Sequence, residues 1–185
     1  NKSSDGHTII DGDGHVMEDI PSIWKYMPEN YVGKSFSDIR GRSPFPPIDH
    51  LHSANRHFTP QGAFANVGSE GWEKFLDEVG IHSTVLYTSA GLSFGKIVSR
   101  DWAIELARAY NNWIAERCRQ APDHLKWVAV VNLEDVEAAV AEVKRVTTEL
   151  DPVGVMILGT AGEKLLNHPS LFPFFGAVEA AKLPV

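Results

Sequence analysis

Short apolar runs alternate with amphipathic segments along most of the chain, and this alternation restricts the possible fold more than any other feature. "IHSTVLYT" (81–88), "LKWVAVVNL" (125–133) and "VGVMILG" (153–159) are rich in β-branched and aromatic residues and read as buried strands. A shorter run, Thr8–Ile10, reads as a first strand. Between them lie helical patterns. "EGWEKFLDEVG" places Trp72, Phe75, Leu76 and Val79 on one face, with Gly80 positioned to end it. "DWAIELARAYNNWIAERCRQ" aligns Trp102, Leu106, Ala109, Tyr110 and Trp113. "LEDVEAAVAEVKRVTTEL" aligns Val136, Val140, Val143 and Leu150, with acids in its first turn and Lys144 and Arg145 later, as the helix dipole favours. "HPSLFPFFGAVEAAK" contains a further helix begun near Pro169, with His168 in its capping region, and "LPV" opens another apolar segment. Strands and helices alternating in this way make βαβ units and a parallel sheet.

Two α/β architectures fit four such units and the start of a fifth strand. A doubly wound sheet places a phosphate-binding glycine loop after its first strand, but "GDGH" (12–15) is not GxGxxG and a long irregular stretch follows it. A (β/α)8 TIM-type barrel needs eight units and usually about 250 residues, so the expected fold is roughly the first half of a barrel, strands 1–4 and the start of strand 5. The expected organisation is one domain, 1–185, as the N-terminal portion of that barrel. Asn1, in place of an initiator methionine, points to a start elsewhere. The stretch from about residue 20 to 71 is rich in Pro and Gly and has no sustained periodicity; loops this long are usually lids or binding loops.

Composition bounds the function. A net charge of −7 argues against a nucleic-acid surface and favours action on small molecules. No apolar run reaches the roughly 20 residues of a membrane span, and no signal segment opens the chain. The single cysteine, Cys118, falls in line with Leu106, Tyr110 and Ile114 as a packed core thiol and fits a reducing, cytoplasmic setting.

The chemistry concentrates in "IIDGDGHVMED" (9–19). Catalytic groups of barrels sit at the carboxyl ends of strands. Asp13 and His15 are read as lying just beyond the first strand, two apart, on one side of an extended chain, as a metal half-site. Asp5 and His7 share the spacing but precede the strand and belong to its opposite end. Glu18 is a candidate further ligand, or an acceptor for His15, or a solvent-facing acid. His50 and His52 have a HxH spacing, but no strand precedes them. Arg56 and His57 in the lid-like stretch are candidates for holding a substrate carboxylate. Asn111 and Asn112 read as structural, and Ser89 has no visible His/Asp partner arrangement that would make it a nucleophile.

"IIDGDGHVMED" with Trp24, followed in order by "LDEVGIHSTVLYTS", "ARAYNNWIAE", "LKWVAVVNLEDVEAAVAEV" and "LLNHPSLFPFFGAVEAAKLPV", resembles the amidohydrolase-2 family, the relatives of aminocarboxymuconate semialdehyde decarboxylase. The resemblance implies two first-strand metal ligands of the type His-X-His or acid-X-His, joined by a His after strand five and an Asp at strand eight. Asp13 and His15 match the first pair, and the remaining ligands and catalytic groups are expected beyond Val185. An Asp in the first position makes the donor set harder and tilts the divalent ion toward Mn or Mg, with Zn still possible. The expected function is a metal-dependent hydrolase or non-oxidative decarboxylase of a small, carboxylated cyclic compound. The expected partners are that substrate and either further copies of the chain or a second chain completing the barrel, with no nucleic acid and no membrane. The alternatives are a non-catalytic scaffold or binding fragment, and a doubly wound α/β binding domain.

Overall fold

The computed structural model describes residues 7–32, 43–46 and 68–185. Its sheet contains β1 (Ile10–Val16), β2 (Ser83–Thr88), β3 (Leu125–Val130) and β4 (Gly154–Met156), all parallel and in the order β1-β2-β3-β4. The helices in chain order are α1 (Ile20–Ile23), α2 (Glu29–Val32), α3 (Ser69–Val79), α4 (Arg100–Cys118), α5 (Val136–Glu149) and α6 (Phe172–Ala180). Each strand adds beside its predecessor. A doubly wound sheet reverses direction at a switch point, and these strands do not, so the architecture is half of a barrel.

Parallel pairing places partnered residues on the same face, and successive residues alternate. Val16, Leu86, Trp127 and Ala129 therefore share one face, and they are buried in one cluster with Leu106, Tyr110, Trp113 and Ile114 of α4. A second cluster joins Val155 to Val143 of α5 and to Leu171, Phe174 and Val178 at α6. Cys118 lies in the first cluster, where burial pushes its thiol up to about 12.

The helix ends follow local chemistry. Gly80 takes the left-handed conformation (φ 75°) that closes α3, its N–H donating to Leu76 and Asp77 carbonyls. Ser99 caps α4 by accepting from the Trp102 N–H, and Asp135 caps α5 by accepting from Ala138 N at 3.0 Å. The helical stripes differ in part from the sequence reading. Leu76 is buried but Phe75 and Val79 are 49% and 48% exposed, while Glu142, a charged residue, is buried.

Glu142 is accounted for by Asn111. Beyond the last β2–β3 pair, Leu86–Trp127, the Asn111 side chain accepts from Val130 N at 2.9 Å and donates to Val130 O at 3.0 Å and to Glu142 Oε1 at 2.8 Å. Arg145 closes the network with bonds of 2.7 and 2.8 Å to Glu142 and 3.0 Å to Asn112 Oδ1. The Glu142 carboxylate beside it raises the guanidinium above its ordinary value. The structural reading of Asn111 and Asn112 holds.

One expectation is corrected. The stretch expected to be irregular from residue 20 is helical at its start: α1, a 3-10 turn (Trp24–Tyr26) and α2 place Ile23, Trp24 and Met27 in the main core. Thirteen residues were too few for their apolar positions to register as a period, yet enough to seat three anchors against α4. Residues 160–165, which the alternation of strands and helices does not describe, form a small antiparallel hairpin, β5 (Thr160–Ala161) with β6 (Lys164–Leu165). The apolar "LPV" segment lies where a further strand was expected, Pro184 O accepting from Val155 N at 2.9 Å.

Candidate metal half-site on the first strand

The first strand does not stop before the acids, as the sequence suggested; it runs through them to Val16. Pairing with β2 continues because β1 takes one extra residue: Asp11 pairs with Thr84 and Gly14 with Leu86, so three steps on β1 match two on β2. This bulge changes which side chains share a face. Strict alternation would align Asp11, Asp13 and His15. Instead Asp11 turns toward Thr84, whose hydroxyl donates to Asp11 Oδ2 at 2.8 Å, and Asp11 Oδ1 accepts from Asp13 N at 3.0 Å. Gly14 sits where a Cβ would lie 2.1 Å from Thr84 Oγ1, so the close approach requires glycine.

Asp13 and His15 remain together on the side away from the helices. Asp13 Oδ1 is 3.8 Å from His15 Nε2, and the two side chains are 89% and 41% exposed. Two donors on a tetrahedral ion with bonds of about 2.1 Å stand about 3.4 Å apart. Closing the remaining gap needs only a small rotation of the exposed Asp13 carboxylate. An acid oxygen and an imidazole nitrogen suit a divalent cation, and on this geometry the pair fits two positions of its coordination shell. Among the described residues no third His, Cys, Asp or Glu joins them.

Glu18 is not brought to the pair. Its carboxylate accepts from Thr88 Oγ1 at 2.5 Å, from Ser89 N at 2.9 Å and from Ala90 N at 3.0 Å, at the start of the 3-10 helix Ala90–Lys96. Burial raises its pKa, opposed by these hydrogen bonds. The carboxylate makes no hydrogen bond to His15 and is turned inward, where it clamps the turn after β2. A carboxylate close in sequence to a ligand motif reads as a ligand, and only the fold reveals that donors on another strand already occupy it.

Ser89 is the residue the sequence reading missed. Its hydroxyl lies 3.4 Å from His15 Nδ1, because His15 pairs with Tyr87 in the ladder and Ser89 follows two residues on. The Tyr87 ring stands 6.0 Å from the imidazole. At the carboxyl ends of β3 and β4, a cavity is lined by Gly91, Phe94, Val130, Asn132, Met156 and Leu158, among others. His7 precedes β1, at the opposite end of the sheet, as its position before the strand implied. His168 caps its helix by accepting from Ser170 N at 3.2 Å. Arg56, His57, His50 and His52 lie outside the described residues.

A singly wound parallel sheet in the order β1-β2-β3-β4 defines a class, the (β/α)8-type barrels, and the family follows from comparison. Residues 10–185 match the family model described as Amidohydrolase, and the chain belongs to that family. It is 31% identical over 120 residues to gamma-resorcylate decarboxylase of Rhodococcus jostii, covering 60% of this chain and 36% of that protein. It is 24% identical over 178 residues to 2-amino-3-carboxymuconate-6-semialdehyde decarboxylase of Dictyostelium discoideum, covering 92% of this chain and 45% of that protein. Among solved structures, 5-carboxyvanillate decarboxylase of Novosphingobium aromaticivorans, complexed with manganese and 4-hydroxy-3-methoxy-5-nitrobenzoic acid, superposes with a TM-score of 0.68 at 19% identity. That match covers 100% of this chain and 51% of that structure. The chain thus spans about half the length, or less, of these relatives.

Proposed function

We propose that this chain carries part of the active site of a divalent-metal-dependent, non-oxidative decarboxylase acting on a small aromatic or unsaturated carboxylic acid. The observation that carries the reading is the Asp13–His15 pair, 3.8 Å apart on the helix-free side of the first strand's carboxyl end. The decarboxylase names of the relatives favour loss of CO2 over hydrolysis. Asp13 and His15 would hold the ion, which we take to be Mn²⁺ by analogy with the manganese-bound relative. When bound, such an ion supplies Lewis-acid stabilisation and orients the substrate acid.

The chain's own residues contribute position. The bulge fixed by Asp11 and Thr84 aims Asp13 and His15 to one side, and Tyr87 walls the imidazole. Arg56 and His57, which lie outside the described residues, would hold the substrate carboxylate. A single, buried cysteine supports a cytoplasmic setting. Ile10 on the outer edge of β1 is 63% exposed, which supports cover of this open sheet by a second copy or a further chain. Sedimentation of the 185-residue chain tests that cover, and a well-folded monomer with cooperative unfolding would overturn it.

The functional test is CO2 release from hydroxylated benzoic acids by the polypeptide carrying this chain, with added Mn²⁺. Asp13→Asn and His15→Ala are expected to abolish turnover. Hydrolysis without CO2 release, or unchanged activity in His15→Ala, would overturn the reading.

A further inference from the structure

We propose that Ser89 is the positioning residue of His15, its hydroxyl accepting the Nδ1 proton so that Nε2 is left unprotonated toward Asp13. This deepens the metal reading of Asp13 and His15 and rests on it. The two ring nitrogens have different neighbours: Nδ1 is 3.4 Å from Ser89 Oγ, and Nε2 is 3.8 Å from Asp13 Oδ1. A neutral imidazole carries one proton, and the nitrogen without it supplies the lone pair for a cation. Metal-bound histidines generally donate their other N–H to an oxygen, which fixes both ring orientation and tautomer. Serine oxygen can accept that proton while its own hydroxyl hydrogen turns elsewhere.

Ser89 is held in place before any cation arrives. Its backbone N–H donates to Glu18 Oε1 at 2.9 Å, and the residues on either side donate to the same carboxylate, Thr88 through its hydroxyl at 2.5 Å and Ala90 through its N–H at 3.0 Å. Thr88 is fully buried, so the anchoring side of this turn is fixed in the core. On the ladder, His15 pairs directly with Tyr87, whose tilted ring stands 6.0 Å from the imidazole. Glu18 thus serves the half-site through Ser89 without touching His15.

The test reads the tautomer directly. Two-bond ¹H–¹⁵N spectra of the histidine-labelled, metal-free protein, recorded where the imidazole is neutral, distinguish Nδ1–H from Nε2–H. His15 is expected as Nδ1–H in the wild type and in Ser89→Thr, which keeps the hydroxyl, and as Nε2–H in Ser89→Ala. Mn²⁺ titration is expected to weaken about 10- to 100-fold in Ser89→Ala, with Ser89→Thr recovering most of the affinity. Nε2–H in the wild type, or an unchanged tautomer in Ser89→Ala, would overturn the proposal. Should Ser89→Ala not fold, the wild-type spectrum alone decides. Failure of the metal reading looks different: Asp13→Asn and His15→Ala would then leave Mn²⁺ affinity unchanged, whatever the tautomer.

Discussion

Replacing Gly14 by alanine concentrates the strain of the half-site in a single methyl group. The new Cβ would lie 2.1 Å from Thr84 Oγ1, 3.1 Å from the Val85 carbonyl oxygen and 3.2 Å from Asp11 Oδ2. Ordinary contact begins near 3.4 Å, so Thr84 must retreat by about 1.3 Å. Thr84 is fully buried, and its hydroxyl cannot swing away without breaking the 2.8 Å bond to Asp11 that holds the bulge. Overpacking costs about 1–3 kcal/mol, and a lost hydrogen bond to a carboxylate about 1.5–3 kcal/mol. The expected total is about 3–5 kcal/mol, a fall in melting temperature of about 10 °C for a chain of this size. Thr84→Ala removes the clashing atom, so the double variant should cost little more than Thr84→Ala alone. The cycle of four proteins is therefore expected to show coupling of at least about 1.5 kcal/mol in denaturant unfolding. Mn²⁺ affinity should fall with Gly14→Ala as well, since Asp13 N is tied to the same Asp11 carboxylate. An alanine variant as stable as the wild type, or strictly additive costs, would refute the account of the bulge.

Three further outcomes are expected. Arg145→Met leaves the buried Glu142 carboxylate without its charged partner and should cost about 3–5 kcal/mol, whereas Glu142→Gln in the same background should recover part of it; urea midpoints check both. Glu18 has a folded pKa raised above its ordinary 4.5, so the folded state binds the proton more tightly than the unfolded one. Stability should therefore fall as pH rises from about that ordinary value through the raised folded one. Glu18→Gln should flatten this slope, and unfolding curves across the acid range would show it. Cys118, with its thiol pushed up to about 12 by burial, should resist alkylation at pH 8 until denaturant is added, as mass spectrometry would register.

The sequence made the βα alternation legible because strand and helix periods differ and each segment was long enough to display its own. Helix ends at Gly80 and the packed position of Cys118 followed from local rules that hold without tertiary context. What escaped notice depended on contacts distant in sequence. The bulge in β1 needs an extra residue relative to β2, and no property of "DGDGH" taken alone specifies that. Glu142 lies on a helix with a charged surface elsewhere, and its burial makes sense only once Asn111 reaches it from another helix. Glu18 and Ser89 exchanged roles for the same reason: the acid near the motif was already bound, and the serine beside the next strand supplied the neighbour. Asp13 and His15 were identified correctly as neighbours, though they lie within the strand and not after it.

Strand order has a consequence for how the chain acquires this structure. β3 and β4 close over 26 positions, from Val128 to Gly154, whereas the Asp11–Thr84 bond that fixes the bulge spans 73. Loop-closure entropy grows as the logarithm of length, so the longer closure costs about 0.9 kcal/mol more, before the irregular composition of the intervening segment is considered. Non-local pairing of this kind is slow to form. Folding should thus begin around the β3–α5–β4 unit, with β1 docking last against a β2 already in place. The half-site would then be among the last features assembled and among the first lost on partial unfolding. In hydrogen exchange, the amides of β1 should open well before those of β3, and a cation held by Asp13 and His15 would report on the final step of folding.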